Sequence, residues 1–213
     1  MNEKRIVVPG ELVTEQRKKI GEHVFVESGK AYADSLGLLQ ENEDSVRVIP
    51  LQGRYMPRRG DLVVGIVAQV EFSGYTIDIN SFYYSFLRKT ELRKPLDKGM
   101  VISAKISDVD EIREAHLENV RVFYGGEVMD VSPVKVPRII GKKGSMLQVL
   151  KDGTGSSIMA GRNGRVWIKD GNIPLLKKAI RKIEAEAHLS NLTERIKAFI
   201  DEEKRKAEIK TEE

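Results

Sequence analysis

Residues 137 to 150 read PRIIGKKGSMLQVL and hold two lysines between two glycines, just after an apolar pair. Glycines let the backbone approach a ligand closely, and the residues that follow predict a helix. A helix N-terminus presents unpaired N–H groups and about half a positive charge, to which Lys142 and Lys143 would add point charges. The segment from Gly141 to Gly144 is therefore predicted to bind an anion.

The absence of complete nucleotide-binding motifs indicates which kind of anion this is. Residues 153–158 begin like the dinucleotide motif G-x-G-x-x-G but lack its third glycine, and no G-x-x-x-x-G-K-[ST] occurs. A chain of phosphates therefore fits better than a single nucleotide. The net charge is +4, and residues 126–189 alone carry 12 Lys or Arg against 6 Asp or Glu. Such a local basic surface is typical of polyanion binding, with a merely solubilising surface as the alternative.

Few residues could support catalysis or hold a metal ion. The sequence has no cysteine, which excludes disulfides, thiolate zinc sites and cysteine nucleophiles. Its three histidines are far apart, and no serine lies in a nucleophile turn beside a plausible histidine. The acidic run at residues 108–111 has no second acidic cluster to match it. We therefore expect a protein that is not an enzyme, with no catalytic residue, no metal ion and no cofactor.

Length and composition predict a globular protein of two or three small domains. The chain has 213 residues, of which 40% are hydrophobic and 32% charged. No apolar run approaches the roughly 18 residues that a membrane span needs, and the N-terminus lacks the apolar core of a secretory signal. A cytoplasmic location is therefore expected.

Strand patterns dominate the first half of the chain. Short alternating runs broken by Pro9-Gly10, Ser28-Gly29 and Pro50 predict β-hairpins in an N-terminal β domain, residues 1–56. Residues 57–125 then contain five predicted strands, enough to close a small Greek-key barrel of the oligonucleotide-binding (OB) type. These strands are expected at 62–72, 75–80, 83–88, 100–108 and 119–124.

From Gly126 onward the pattern mixes helices and strands. Asn163-Gly164 is a strong hairpin signal, and Asn172 caps a helix with apolar residues at helical spacing. A last helix is expected after Ser190, with a charged tail that frays beyond Ile200. The predicted class is α+β multidomain, with a βααββα domain at 126–189 and the last helix and tail at 190–213. The elements of the βααββα domain are a strand (127–131), a brief helix up to the glycine turn, a helix from 145 to 150, two strands (157–160 and 165–169) and the helix after Asn172.

Within this order of elements, the glycine turn is a much more specific signal than a GxxG turn alone. Residues 127–188 resemble a K-homology (KH) domain, whose GxxG loop clamps about four nucleotides of single-stranded RNA. Residues 58–125 resemble the RNA-binding barrel first described in ribosomal protein S-one, with GIV at 65–67 and FSGY at 72–75 in place of that family's glycine-valine strand and F-G-x-F turn. With the N-terminal PGELVTEQ, this domain order is similar to the RNA-binding cap subunits of the archaeal exosome, the ribosomal RNA processing protein four family.

The resemblance implies a function and a set of partners. Three copies of such a cap subunit would sit with other cap subunits on a hexameric ring of phosphorolytic exoribonuclease subunits. They would recruit single-stranded RNA and guide its 3′ end into the pore for 3′–5′ degradation, while catalysis belongs to the ring. Two alternatives remain: a stand-alone RNA chaperone or translation-associated RNA-binding protein, and a nuclease that acts alone.

The resemblance also assigns residues. Tyr75 takes the position of the base-stacking aromatic, and Phe72 is expected in the core. Tyr83 and Tyr84 are both candidate contacts, with the alternative that strand alternation turns one of the two toward the core. The GxNG element at 161–164 is expected to be structural and to pack toward the barrel. The RNA-binding residues predicted in the KH domain are Arg138, Ile140, Gly141, Lys142, Lys143 and Gly144, and those in the barrel are Tyr75, Tyr83, Arg88, Lys89, Arg93 and Lys94.

Overall fold

The computed structural model describes residues 5–51, 54–92, 94–111 and 114–212. The chain forms two compact units, residues 1–53 and residues 54–213. Tyr55 packs in the core of the second unit, where its hydroxyl donates a hydrogen bond to Asp61 (2.8 Å). Burial and this hydrogen bond raise the pKa of Tyr55 well above its usual value. The division of the chain into four domains remains a prediction.

The first unit consists of two small antiparallel-rich sheets, as the turn signals predict. Strands β4 and β5 form a hairpin whose turn residues, Ser28 and Gly29, both have positive φ. One sheet has the order β1-β6-β7-β3 and the other β2-β5-β4. The strands are β1 (Ile6–Val7), β2 (Leu12–Thr14), β3 (Lys19–Ile20), β4 (Val24–Glu27), β5 (Lys30–Ala33), β6 (Gly37–Glu41) and β7 (Ser45–Pro50).

The second unit begins with a closed five-stranded barrel, which confirms the predicted OB-type fold. Its strands close in the order β10-β12-β11-β8-β9. Alternate residues of each strand fill the interior, for example Tyr75, Ile77 and Ile79, each at most 1% exposed. The strands are β8 (Leu62–Val70), β9 (Gly74–Asp78), β10 (Ser85–Arg88), β11 (Val101–Val109) and β12 (Ala115–Phe123).

A βααββα arrangement follows, as predicted. The sheet has the order β13-β15-β14, and the helices cover one of its faces around a core that includes Ile139, Leu150 and Ile180. Asn172 caps α3 as expected, because its side chain accepts a hydrogen bond from the Leu175 N–H (3.0 Å). The elements are β13 (Glu127–Asp130), α1 (Val136–Ile140), α2 (Ser145–Thr154), β14 (Ser157–Ala160), β15 (Arg165–Lys169), α3 (Ile173–Glu186) and α4 (Leu192–Glu212).

The expectation that the last helix frays beyond Ile200 is wrong, because α4 continues to Glu212. Its charged part makes helical ion pairs, such as Lys206 with Glu202 (2.6 Å), and Glu203 pairs with Lys178 of α3 (2.9 Å). Pairs four residues apart each stabilise a helix by a few tenths of a kcal/mol, about 0.2–0.5 kcal/mol. The charged run therefore supports the helix instead of ending it.

The GxNG element joins the barrel to the βααββα part. Asn163 is fully buried, and its side chain accepts a hydrogen bond from the Val64 N–H (3.0 Å) and donates to the carbonyls of Val64 (2.7 Å) and Ile79 (2.8 Å). A Cβ on Gly161 would lie 2.5 Å from the Val64 nitrogen, so only glycine permits this approach. The prediction that residues 161–164 are structural and pack toward the barrel is confirmed.

An ion pair strengthens the same joint. Arg165, whose side chain is 9% exposed, donates to the Asp78 carboxylate (2.7 Å) and to the Asp78 carbonyl (2.6 Å). Burial by itself would raise the pKa of Asp78, but the hydrogen bonds from Arg165 and the Asn80 N–H outweigh it and hold that pKa below its usual value. Buried hydrogen bonds and a charge pair therefore connect the two parts of this unit.

Candidate nucleic-acid interface

The GKKG loop connects α1 to α2 through an unusual backbone path. Gly141 ends α1 with φ 76° and ψ 171°, and a Cβ there would lie 2.5 Å from the Met146 nitrogen. Lys143 and Gly144 also have positive φ, 53° and 81°. Glycine is therefore required at 141 by steric contact and favoured at 144 by its backbone conformation. The result is a tight turn that leaves the side chains of Lys142 and Lys143 exposed.

The loop places positive charge at the start of a helix. No side chain caps α2, whose N-cap residue is Gly144. Lys142 and Lys143 form no ion pair with any residue that the structure describes. Arg138, which lies earlier in the chain on α1, is also exposed. Ile140 is half-buried against the core. Helix N–H groups and two free ammonium groups are together suited to bind phosphate oxygens.

The predicted stacking role of Tyr75 is wrong. The ring is 1% exposed in the barrel core, and the hydroxyl accepts a hydrogen bond from the Leu96 N–H (3.1 Å). Lys89 covers it, with Nζ 6.0 Å from the ring centroid. A base has no access to either face of this ring. The sequence did contain the signal, since Tyr75, Ile77 and Ile79 share one face of an alternating strand.

Phe72 takes the exposed position instead, and its predicted place in the core is also wrong. It lies in the turn between β8 and β9 and is 100% exposed. Arg88 pairs with Gly74, and the Lys89 N–H donates to the Ser73 carbonyl (3.3 Å), so both basic residues lie at the same end of the barrel as Phe72. Both are exposed. An aromatic ring beside two cations is typical of a single-strand binding surface.

Tyr83 and Tyr84 lie at the opposite end of β9 and β10. They are 57% and 60% exposed, because they precede β10 and strand alternation does not apply to them. The alternative that one of the two faces the core is therefore excluded. Phe82, 59% exposed, adjoins them, and the Arg54 guanidinium lies 5.1 Å from its ring centroid. Of the predicted barrel residues, Arg88 and Lys89 thus lie at one end of β9 and β10, and Tyr83 lies at the other. The exposed rings of Phe72 and Phe82, and Arg54 beside Phe82, were not among the predicted RNA contacts.

The two remaining predicted residues, Arg93 and Lys94, follow β10 in the chain. Lys94 is exposed, and Arg93 lies outside the described residues. Among the described residues no group of three or more His, Asp or Glu could hold a metal ion. His23 contacts Asp34 (3.0 Å) and Ser35 (3.1 Å), a local surface cluster. The part of the chain that the structure describes has no helix long and apolar enough to cross a membrane.

Comparisons with known proteins agree with this arrangement. Residues 4–52 match the family described as exosome RNA binding protein RRP4 N-terminal domain, and residues 126–174 match the KH domain family. The exosome complex component Rrp4 of Methanobrevibacter smithii is 40% identical over 91% of this chain and 70% of its own length. The chain belongs to the Rrp4 family. The Rrp4 of Methanosarcina mazei is 41% identical over 96% of this chain and 84% of its own length.

A solved structure supports the same family. A crystal structure of a putative exosome complex RNA-binding protein superposes with a TM-score of 0.64 at 33% identity, covering 72% of this chain and 98% of that chain. The Rrp4-family chain therefore shares its fold with a protein described as an RNA-binding exosome component. The KH match includes the whole GKKG loop and both helices that flank it.

Proposed function

We propose that this Rrp4-family chain is a non-catalytic, RNA-binding cap subunit of an archaeal exosome. The observation that carries the proposal is the exposed GKKG loop at the uncapped N-terminus of α2, within a chain that matches exosome components along most of its length. Single-stranded RNA is the ligand that fits a KH loop. The cytoplasmic location expected from the sequence is part of the same proposal.

The RNA contacts divide between the two parts of the second unit. Lys142 and Lys143 would hold phosphates electrostatically, with Gly141 and Gly144 allowing close approach of the RNA backbone. In the barrel, exposed aromatic rings would stack on bases while neighbouring cations hold the strand: Phe72 with Arg88 and Lys89 at one end, and Tyr83 and Tyr84 at the other. Such contacts tolerate any sequence, which suits a subunit that delivers RNA to a nuclease.

The first unit would dock on the ring of phosphorolytic subunits. Its sequence has no excess of positive charge, unlike residues 126–189. Several apolar side chains are exposed on it, including Ile6 (59%), Val8 (52%) and Val26 (55%). Exposed apolar residues favour a protein partner over RNA. Three copies on a hexameric ring, with other cap subunits, would then guide RNA 3′ ends into the pore.

The decisive experiment is co-expression with the ring subunits, followed by native mass measurement of the purified complex. We expect the full chain to associate with the ring and to increase its RNA affinity and processivity. Deletion of residues 1–53 should abolish association while RNA binding by the remaining compact unit persists. A full chain that binds RNA but never associates with the ring would instead support a stand-alone RNA-binding protein.

A second experiment tests the absence of catalysis. The purified chain is incubated with end-labelled RNA in the presence of phosphate, and separately of magnesium. We expect no shortening of the RNA in either case. Shortening that persists through purification and disappears with a variant of this chain would support the alternative of a nuclease that acts alone.

A further inference from the structure

A cleft of about 320 Å³ lies where the barrel meets the KH sheet, away from the residues assigned above. We call it the junction cleft. It is lined by Arg121 and Phe123 of β12, Lys151 of α2, residues 156–159 and Trp167 of β15. Its volume falls at the lower end of the roughly 300–1,000 Å³ of clefts that hold small ligands.

The floor of the junction cleft is a buried, stacked aromatic pair. Phe123 and Trp167 stack with centroids 4.2 Å apart and an interplanar angle of 15°, and each is 8% exposed. The indole Nε1 donates to the Gly125 carbonyl (3.0 Å), so the polar edge of the tryptophan is already satisfied. This floor offers apolar contact and no hydrogen-bond donor, which leaves recognition of a polar ligand to the walls.

The walls carry positive charge and hydroxyl groups. The Arg121 guanidinium is held 5.6 Å from the Phe123 ring centroid, and neither Arg121 nor Lys151 pairs with a carboxylate among the described residues. Ser156 is 5% exposed, and its hydroxyl has no hydrogen-bond partner within the described structure. A buried hydroxyl without a partner is uncommon in native proteins, and a ligand that reached it would complete its hydrogen bond. Asp152 is the acidic residue nearest in sequence to Lys151, and it accepts a hydrogen bond from Gln148.

We infer that the junction cleft binds a phosphate-bearing nucleotide unit, with its phosphate between Arg121 and Lys151. Two unpaired cations and a free hydroxyl suit a phosphate group, and the apolar floor suits the adjoining sugar or base. The GKKG loop directs this choice toward RNA rather than a free nucleotide. Lys151 lies six residues after Ser145, about 9 Å along α2 at 1.5 Å per residue, so a strand that leaves the loop can reach the cleft.

This inference adds a second RNA contact and rests on the proposed function. The chain has one tryptophan, Trp167, so its fluorescence comes from a residue that lines the junction cleft. The full chain is titrated with a single-stranded RNA of about 12 nucleotides, longer than the about four that a KH loop holds. Uridine 5′-monophosphate and inorganic phosphate are titrated separately. Total RNA binding is measured independently, by anisotropy of a labelled RNA.

We expect the RNA to change Trp167 fluorescence, and Arg121→Gln with Lys151→Gln to abolish that change. The same pair should flatten the log-log salt slope of RNA binding by about 0.7, the value for one lost phosphate contact on a single strand. The matched control is Lys197→Gln with Lys204→Gln, which removes the same charge from exposed positions of α4 and should leave both readouts unchanged. Melting temperatures confirm that both variants fold.

The outcomes distinguish a failure of the junction-cleft inference from a failure of the proposed function. Uridine 5′-monophosphate or inorganic phosphate that changes the fluorescence at the same concentration as the RNA overturns the assignment to RNA, because a free anion with the same phosphate chemistry then fills the cleft. If RNA binds without changing Trp167 fluorescence, and both double variants bind RNA with the salt slope of the wild type, the inference about the junction cleft is overturned. The proposed function then remains intact. No RNA binding by anisotropy overturns the proposed function itself.

Discussion

Replacing Asn163 by alanine tests whether buried hydrogen bonds hold the barrel and the KH domain together. The variant removes three hydrogen bonds to the backbone of Val64 and Ile79 and leaves those groups unpaired at a fully buried position. At about 1 kcal/mol net for each bond, the loss is about 3 kcal/mol, and the unpaired groups add to it. For a chain of this length, about 3 kcal/mol corresponds to a decrease of about 6–12 °C in melting temperature.

The assay is urea denaturation followed by Trp167 fluorescence, because this single tryptophan stacks on Phe123 across the same joint. The matched control is Asn172→Ala, which removes one capping hydrogen bond inside the KH domain and should cost only about 1 kcal/mol. If Asn163→Ala cost no more than the control, the three hydrogen bonds would not stabilise the joint, and the reasoning would be refuted.

Three further predictions concern RNA and pH. Lys142→Asp with Lys143→Asp should weaken RNA binding and flatten its log-log salt slope by about 0.7 for each lost phosphate contact, while the melting temperature stays unchanged. An RNA affinity at low salt equal to that of the wild type would contradict this. Phe72→Ala should weaken RNA binding by about 1–3 kcal/mol without loss of stability. Tyr75→Ala should instead destabilise the barrel by about 3–5 kcal/mol, as for other buried aromatics. Thermal melts and RNA titrations of both variants distinguish the two effects. The pKa of Asp78 is lowered on folding, so its stabilising effect is present above the unfolded value and is lost as pH falls through the folded value. Asp78→Asn should therefore narrow the stability difference between pH 7 and pH 3, and melting curves at the two pH values check it.

Sequence patterns predicted the strands and helices well because their signals are local. The alternation at residues 75–80 predicted β9, and the hairpin and capping signals at Asn163 and Asn172 lie next to the elements they define. The charged tail was the exception. Its acidic and basic residues look like a frayed end in sequence, and only the packing of α4 on α3 shows that one of them, Glu203, pairs with a neighbouring helix.

The roles of single side chains were harder to predict, because they depend on contacts between distant residues. Alternation shows that Tyr75 shares a face with Ile77 and Ile79, but the closed barrel decides that this face is the interior. The stacking of Phe123 on Trp167 joins the barrel to the KH sheet, and no pattern in the sequence links the two residues. The GKKG loop was predictable since its chemistry lies within four consecutive residues.

The joint at Asn163 also has a consequence for RNA binding. Hydrogen bonds and an ion pair connect the KH domain to the barrel in one compact unit, so RNA bound at the proposed loop site would also meet the barrel surfaces of that unit. Two proposed RNA sites in one compact unit would act together, because the second contact is intramolecular once the first has formed. Loosening the joint by Asn163→Ala should therefore weaken binding of an RNA long enough to reach both sites, although the variant removes no RNA contact. Binding of an RNA of about four nucleotides, which the loop alone can hold, should stay unchanged. Titration of both RNAs on a folded variant checks this, and an equal loss for the two lengths would show that the KH domain itself is damaged.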